Sequence, residues 1–181
     1  MDQINFLKQY VQLKPEHIEK MSDGFVNNPE TRNEIVQSPD FTPSEHTLTN
    51  LLYSPNVEHR IAAAQAKNLK DHHIDMLLGD SSDWQTRMFA AANPVLKEHQ
   101  IDRALNHSDW DTRAGAARNP SIKEHQLDKA LNDEANVREA AAQNPAINRE
   151  QLLKALNDKD EFVSHMALRN PRYEDYFPFG H

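Results

Sequence analysis

Apolar positions along the chain come in short helical stretches, none long enough for a continuous core helix. Ile101 and Leu105, Leu127 and Leu131, and Leu152 and Leu156 stand four residues apart, the spacing that puts two side chains on one face of a helix. Each pair lies on a segment of about ten residues with charged residues between the apolar ones. Before each segment comes a stretch rich in alanine, residues 62–64, 90–92, 114–117 and 140–142, most of which ends at Asn-Pro. Asn tolerates the left-handed backbone that closes a helix, and the Pro after it cannot continue one. The pattern predicts pairs of short helices, the first small and tightly packable, the second carrying one leucine-rich stripe.

The pairs repeat. Arg87-Met-Phe-Ala-Ala-Ala-Asn-Pro94 returns as Arg113 to Pro120 and as Arg138 to Pro145. Backwards, the phrase continues through Arg60 to Leu78, with Ala66-Lys67 in place of Asn-Pro, so that the arginines stand 27, 26 and 25 residues apart. Two degraded units flank these: Arg32 to Leu52, with Ser38-Pro39, and Ser164 to Pro171, which keeps Asn170-Pro171 but lacks the arginine. Ser82, Ser108 and Asp133 are the expected caps of the first helices, and Ser82 with Gln85 has the form of a capping box. Ser54-Pro55 and Asn28-Pro29 place Pro at a first helical position. Because one pair cannot hide its apolar stripe alone, stacked neighbours must. The expected fold is all-α: a right-handed α-solenoid of about six helix-pair repeats with atypical terminal caps. Its expected divisions are an N-terminal helical cap (1–27), repeats over 28–171 (28–53, 54–80, 81–107, 108–133, 134–158 and a partial 159–171), and an aromatic tail (172–181).

Val137-Arg138, the alanines, Asn144-Pro145 and then Leu152, Leu153 and Leu156 resemble the pattern of the leucine-rich repeat variant family, a relative of the HEAT-like α-solenoids. The likeness covers about residues 28–171 and departs at Thr86 and Thr112, which occupy the family's valine position. It implies a fold and a habit of binding other macromolecules. Family members that hold an iron-sulfur cluster do so through cysteines, and this chain has none.

A formal net charge of −8 over 181 residues repels a phosphate backbone, so a direct nucleic-acid partner is not expected. The lack of cysteine removes disulfides and thiolate metal sites and fits a reducing, cytoplasmic setting. No apolar run approaches the length that spans a bilayer. Four glycines supply no phosphate-cradling loop, and no nucleophile elbow is present, so no catalytic residue or cofactor is assigned.

Several repeated positions are candidates for function. Arg60, Arg87, Arg113 and Arg138, with Arg32 before them, form a ladder, expected to be structural through pairs such as Asp83 with Arg87, Asp109 with Arg113 and Glu134 with Arg138 four residues apart. The other reading of the ladder is a phosphate track. His17, His46, His72, His99 and His125 form a second ladder, whose rungs, about 10 Å apart, cannot share one metal; no metal site is assigned, and His72 and His73 are expected on different sides of their helix. Trp84 and Trp110 share a repeat position held by Val57 and Ala135 elsewhere; packing between units is expected there, a binding hot spot being the alternative. Arg103, Lys129 and Lys154 line the second helices beside a stripe of Asp75, Asp102 and Asp128, and with the Trp pair they are the candidate partner-binding residues. The tail from Tyr173 to His181 is expected to fold back over the last apolar face.

These features point to a non-catalytic protein-protein interaction module that binds a partner along one solenoid face. An acidic inhibitor occupying the groove of a nucleic-acid-binding protein is the second reading, motivated by the charge and by Asp2, Glu16, Glu19, Asp23, Glu30 and Glu34. A HEAT-like enzyme acting on nucleic acid is the third.

Overall fold

The computed structural model describes residues 42–79 and 82–178, which hold every element named here. The expected cap over 1–27, and His17 and Arg32 with it, lies outside them. In chain order the helices are α1 (Glu45–Leu52), α2 (Val57–Ala64), α3 (Asp71–Leu77), α4 (Trp84–Ala91), α5 (Glu98–Leu105), α6 (Trp110–Ala117), α7 (Glu124–Ala130), α8 (Ala135–Ala142), α9 (Arg149–Leu156), α10 (Glu161–Leu168) and the single turn α11 (Tyr173–Tyr176). The described fold is all-helical. None of these helices is long and apolar enough to cross a membrane.

Neighbouring elements pack in sequence order. The first helices α2, α4, α6, α8 and α10 lie side by side, each against the next, and the second helices lean on the first helices before and after them. Small residues make this approach possible: Ala63, Ala64, Ala90, Ala91, Ala116, Ala117, Ala140, Ala141 and Ala142 are fully buried. Gly115 is the closest point, since a Cβ there would run into the backbone carbonyl of Met88 on α4. The second helices add the larger side chains, Ile74, Leu77, Ile101, Leu105, Leu127 and Leu152, to the same continuous core.

Helix starts fall one or two residues later than the sequence suggests. Asp83, not Ser82, caps α4 by accepting from the Thr86 N–H at 2.8 Å, and Asp109, not Ser108, caps α6. Glu134 stands at the cap of α8, with Asp133 just outside it, and Asn56 caps α2, so that Pro55 lies before the cap and not at the first helical position. Ser82 instead turns its hydroxyl to the Met76 carbonyl. A carboxylate one position inward offers two acceptor oxygens, so one can cap while the other takes a neighbour's side chain. The second helices are seven or eight residues long, shorter than the expected ten.

Buried amides join the units. Asn119 donates through Nδ2 to Ala91 O at 2.8 Å and Asn93 O at 2.7 Å, both in the preceding unit, while its Oδ1 accepts from Ser121 N–H. Asn93, Asn144 and Asn170 repeat the arrangement. The Asn of Asn-Pro is thus a clamp between units as well as a helix stop. Gln100, Gln126 and Gln151 do the equivalent for the second helices. Gln126 Oε1 accepts from the Lys123 N–H at 2.9 Å, and its Nε2 reaches back to Glu98 O and Asp102 Oδ1.

The described part of the tail folds back. Phe177 is buried in the core beside Tyr173, and the Tyr176 hydroxyl donates to Ile147 O at 3.1 Å. Arg149 lies 5.1 Å over the Phe177 ring, a cation-π contact that fixes the tail against α9.

Candidate functional site

Every first helix begins at the same end of the stack, where a short turn arrives from the preceding second helix. That end carries four of the six exposed large apolar side chains among the described residues: Tyr53 (74%), Trp84 (48%), Trp110 (40%) and Phe162 (72%). Tyr53 closes α1, Trp84 and Trp110 open α4 and α6, and Phe162 is the second residue of α10. The exposure of the Trp pair overturns the expectation that it packs between units. The reason is angular. The third helical position, Thr86, Thr112, Val137 or Val163, is the one turned into the core, and two residues separate it from the first, roughly 200° around the helix.

Beside these aromatics runs the arginine ladder, with different partners from those the spacing suggests. Arg60 donates through Nε and Nη2 to Asp83, Arg87 through Nη2 to Asp109, Arg113 to Asp133 and Glu134, and Arg138 to Asp158, at 2.8 to 3.2 Å. Each bond runs forward to a carboxylate at or just before the start of the next first helix, so the expected four-residue pairs do not form. Each guanidinium also ties back to a carbonyl of its own turn: Ser54, Ser82, His107 or Asp133. For Arg60 and Arg87 the cap explains the choice. Asp83 takes the Thr86 N–H on Oδ1, and its Oδ2, which accepts from the Thr86 hydroxyl, also accepts from Arg60 of the helix before.

The two threonines that depart from the expected valine belong to this network. Thr86 and Thr112 are buried, and each hydroxyl donates to the cap aspartate of its own helix, at 2.7 and 2.8 Å. Burial alone would raise the Asp83 and Asp109 carboxyls, but the hydrogen bonds from Thr86 and Thr112, with Arg60 and Arg87 beside them, hold both below the usual range. Asp111, half-buried beside Trp110, is raised instead, first by burial and then by the neighbouring Asp109. With their charges committed to carboxylates, these four arginines offer little to an external phosphate.

The candidate cations of the second helices are exposed, and they too are tethered to the preceding unit. Arg103 pairs with Asp75 at 2.8 Å, Lys129 donates to the Asn106 side chain, and Lys154 to that of Asn132 at 2.7 Å. Asp102 and Asp128 accept from Gln126 and Gln151, so the acidic stripe holds glutamines as well as facing solvent. Asn106 and Asn132 sit in the turns that lead to the first helices, which brings Lys129 and Lys154 toward the aromatic end.

At the opposite end of the second helices His46, His72, His99 and His125 are exposed. One expectation fails there. His72 and His73 do not point apart: their ring centroids are 3.9 Å from each other, and both approach Glu45 of α1.

The buried Asn and Gln clamps were visible as repeated letters, but nothing in the chain marks them as bonds between units. A Gln three residues after Lys lacks the Ser or Thr that signals a capping box, because a lysine side chain has no acceptor. Tyr53 and Phe162 were missed for another reason: they lie one or more positions away from the Trp site and show no alignment with it. Comparison with known proteins adds nothing to this picture, since no family model matches the chain and neither any curated protein nor any solved structure matches it.

Proposed function

We propose that the chain is a right-handed α-solenoid of about six helix-pair units, of the leucine-rich repeat variant and HEAT-like kind, acting as a non-catalytic module that binds a protein partner. Its contact surface is the turn end carrying Tyr53, Trp84, Trp110 and Phe162, flanked by Lys129 and Lys154. The observation that carries this reading is the exposure of both Trp side chains at equivalent positions of adjacent helices, where the fold does not need them. Val57 and Ala135 occupy the same position in other units, so the ring is dispensable for stacking. Exposed aromatics with stiff side chains are what a hot spot is made of.

The test is capture of a partner from the source extract, followed by affinity measurement with Trp84→Ala/Trp110→Ala. The variant keeps its helical circular dichroism and loses at least about tenfold in affinity, the size expected when a hot-spot residue is truncated. Undiminished binding by the variant, or turnover of a substrate by the isolated chain, would overturn the reading.

A further inference from the structure

The N-terminal ends of the second helices follow one rule. In α1, α3, α5 and α7 the first residue is acidic (Glu45, Asp71, Glu98 or Glu124) and the second is His, whereas α9 opens with Arg149 and Glu150; from α3 to α9 the third residue reaches back to the helix before. In α5 and α7 the third residue is Gln, as it is in α9, and in α3 alone among the described helices it is His73. Its Nδ1 accepts from the Lys70 N–H at 3.2 Å, as the Gln Oε1 does elsewhere, and its Nε2 lies 3.1 Å from Glu45 Oε1, where a Gln would place its amide nitrogen. The substitution preserves the link between units and changes its chemistry.

We infer that Glu45, His72 and His73 form a binding site for a divalent transition-metal ion of the zinc class. His72 Nε2 lies 3.9 Å from the same Glu45 oxygen, and one ligand atom from each of the three residues lies within 4.8 Å of the others. Ligands about 2.0–2.1 Å from a tetrahedral zinc stand about 3.3 Å from each other, so small side-chain rotations close the site. His73 is buried and fixed, whereas Glu45 and His72 are exposed and can adjust, leaving the fourth position to water. Two imidazole nitrogens with one carboxylate suit zinc, nickel, cobalt or copper rather than calcium or magnesium, which require oxygen ligands. Elsewhere the same positions provide one imidazole near one acid, as with His125 3.7 Å from Glu98, and the third is an amide.

The protons balance without another reactant. With Nδ1 accepting from Lys70, the neutral ring carries its proton on Nε2 and donates it to Glu45. Metal binding takes the Nε2 lone pair, so the proton is carried on Nδ1 instead; Nδ1 can then no longer accept from the Lys70 N–H, and the two donors must move apart, giving up that cap bond. Glu45 Oε2 keeps the Lys70 ammonium at 2.7 Å while Oε1 goes to the metal. The lost cap and the nearby ammonium both make this a site of moderate affinity.

The experiment is calorimetric titration of the full chain with Zn²⁺, with Co²⁺ absorption as a spectroscopic report. The expected result is saturable binding of one ion per chain, a visible cobalt band, and no saturation with Mg²⁺. His73→Gln installs the residue of the neighbouring units; it keeps the fold and loses at least tenfold in zinc affinity together with the cobalt band. His99→Gln, at an equivalent exposed histidine outside the site, leaves both unchanged. Should His73→Gln disturb the circular dichroism spectrum, His72→Ala on the surface carries the same test. Equal binding by the His73 and His72 variants, or only unsaturable uptake by the parent chain, overturns the proposal.

Discussion

Asn119 and Asn93 stand at the same place in consecutive units, and the side-chain amide of Asn119 donates to the main-chain carbonyl of Asn93 at 2.7 Å. The bond is buried and is one of three that the Asn119 side chain makes. Asn119→Ala takes these partners from the Ala91 carbonyl and the Ser121 N–H and leaves the Asn93 carbonyl only the Leu96 N–H, and is expected to cost about 2–3 kcal/mol, read from the urea midpoint. Asn119→Asp, which turns a donor into a third acceptor, is expected to cost no less.

Gly115→Ala opposes two effects. Alanine favours a helix by about 1 kcal/mol over glycine, but its Cβ would enter the space held by the Met88 backbone. Backbone cannot move aside as a side chain can, so α4 and α6 must separate. A net loss of about 1–3 kcal/mol is expected by thermal denaturation; an unchanged or raised midpoint would show that the helices slide apart freely.

The Arg138 hydrogen bond holds the Asp158 carboxyl below its ordinary range against the opposing effect of burial. A depressed carboxyl contributes stability that is present above the unfolded value and lost as pH falls through the folded one. The chain is therefore expected to lose stability below about pH 4. Asp158→Asn is expected to be less stable near neutrality and to show a shallower decline in acid, as measured by melting temperature across that window.

Asp111 has the opposite sign. Burial and the adjacent Asp109 raise it, so its ionised form weakens the fold above the unfolded value and has no such effect below it. Asp111→Asn is expected to melt higher than the parent at pH 7, the difference vanishing as the pH approaches about 4. A lower melting temperature at pH 7 would show that the charge serves the start of α6 more than it strains it.

The repeat was legible because its cause is local: small residues where helices meet, leucines four apart, and a stop at Asn-Pro. The network between units was not, because it depends on which way a side chain leaves its helix. Asp83 and Arg87 have the spacing of a pair, yet Asp83 binds Arg60 from the unit before, and Arg87 binds Asp109 in the unit after. The same limit hid the meeting of His72 with His73, whose separation in sequence predicts divergence. Trp84 and Trp110 were found by position, but their exposure followed only from the turn of the helix that buries Thr86 and Thr112.

The Asn and Arg bonds run in opposite directions. Asn144 reaches to the unit before it and Arg113 to Glu134 in the unit after, so one junction is closed from both sides. Arg87 with Asp109 and Arg138 with Asp158 join successive units in the same sense, although Asp109 caps its helix and Asp158 stands two residues before the cap Asp160. Cutting out Pro94 to Asn119 would set Asn93 before Pro120 and restore the Asn-Pro sequence without a seam. Length is thus adjustable in this architecture: one period can be dropped or copied with the Asn-Pro phrase intact, provided that the flanking Arg87 and Asn144 find equivalent partners in their new neighbours.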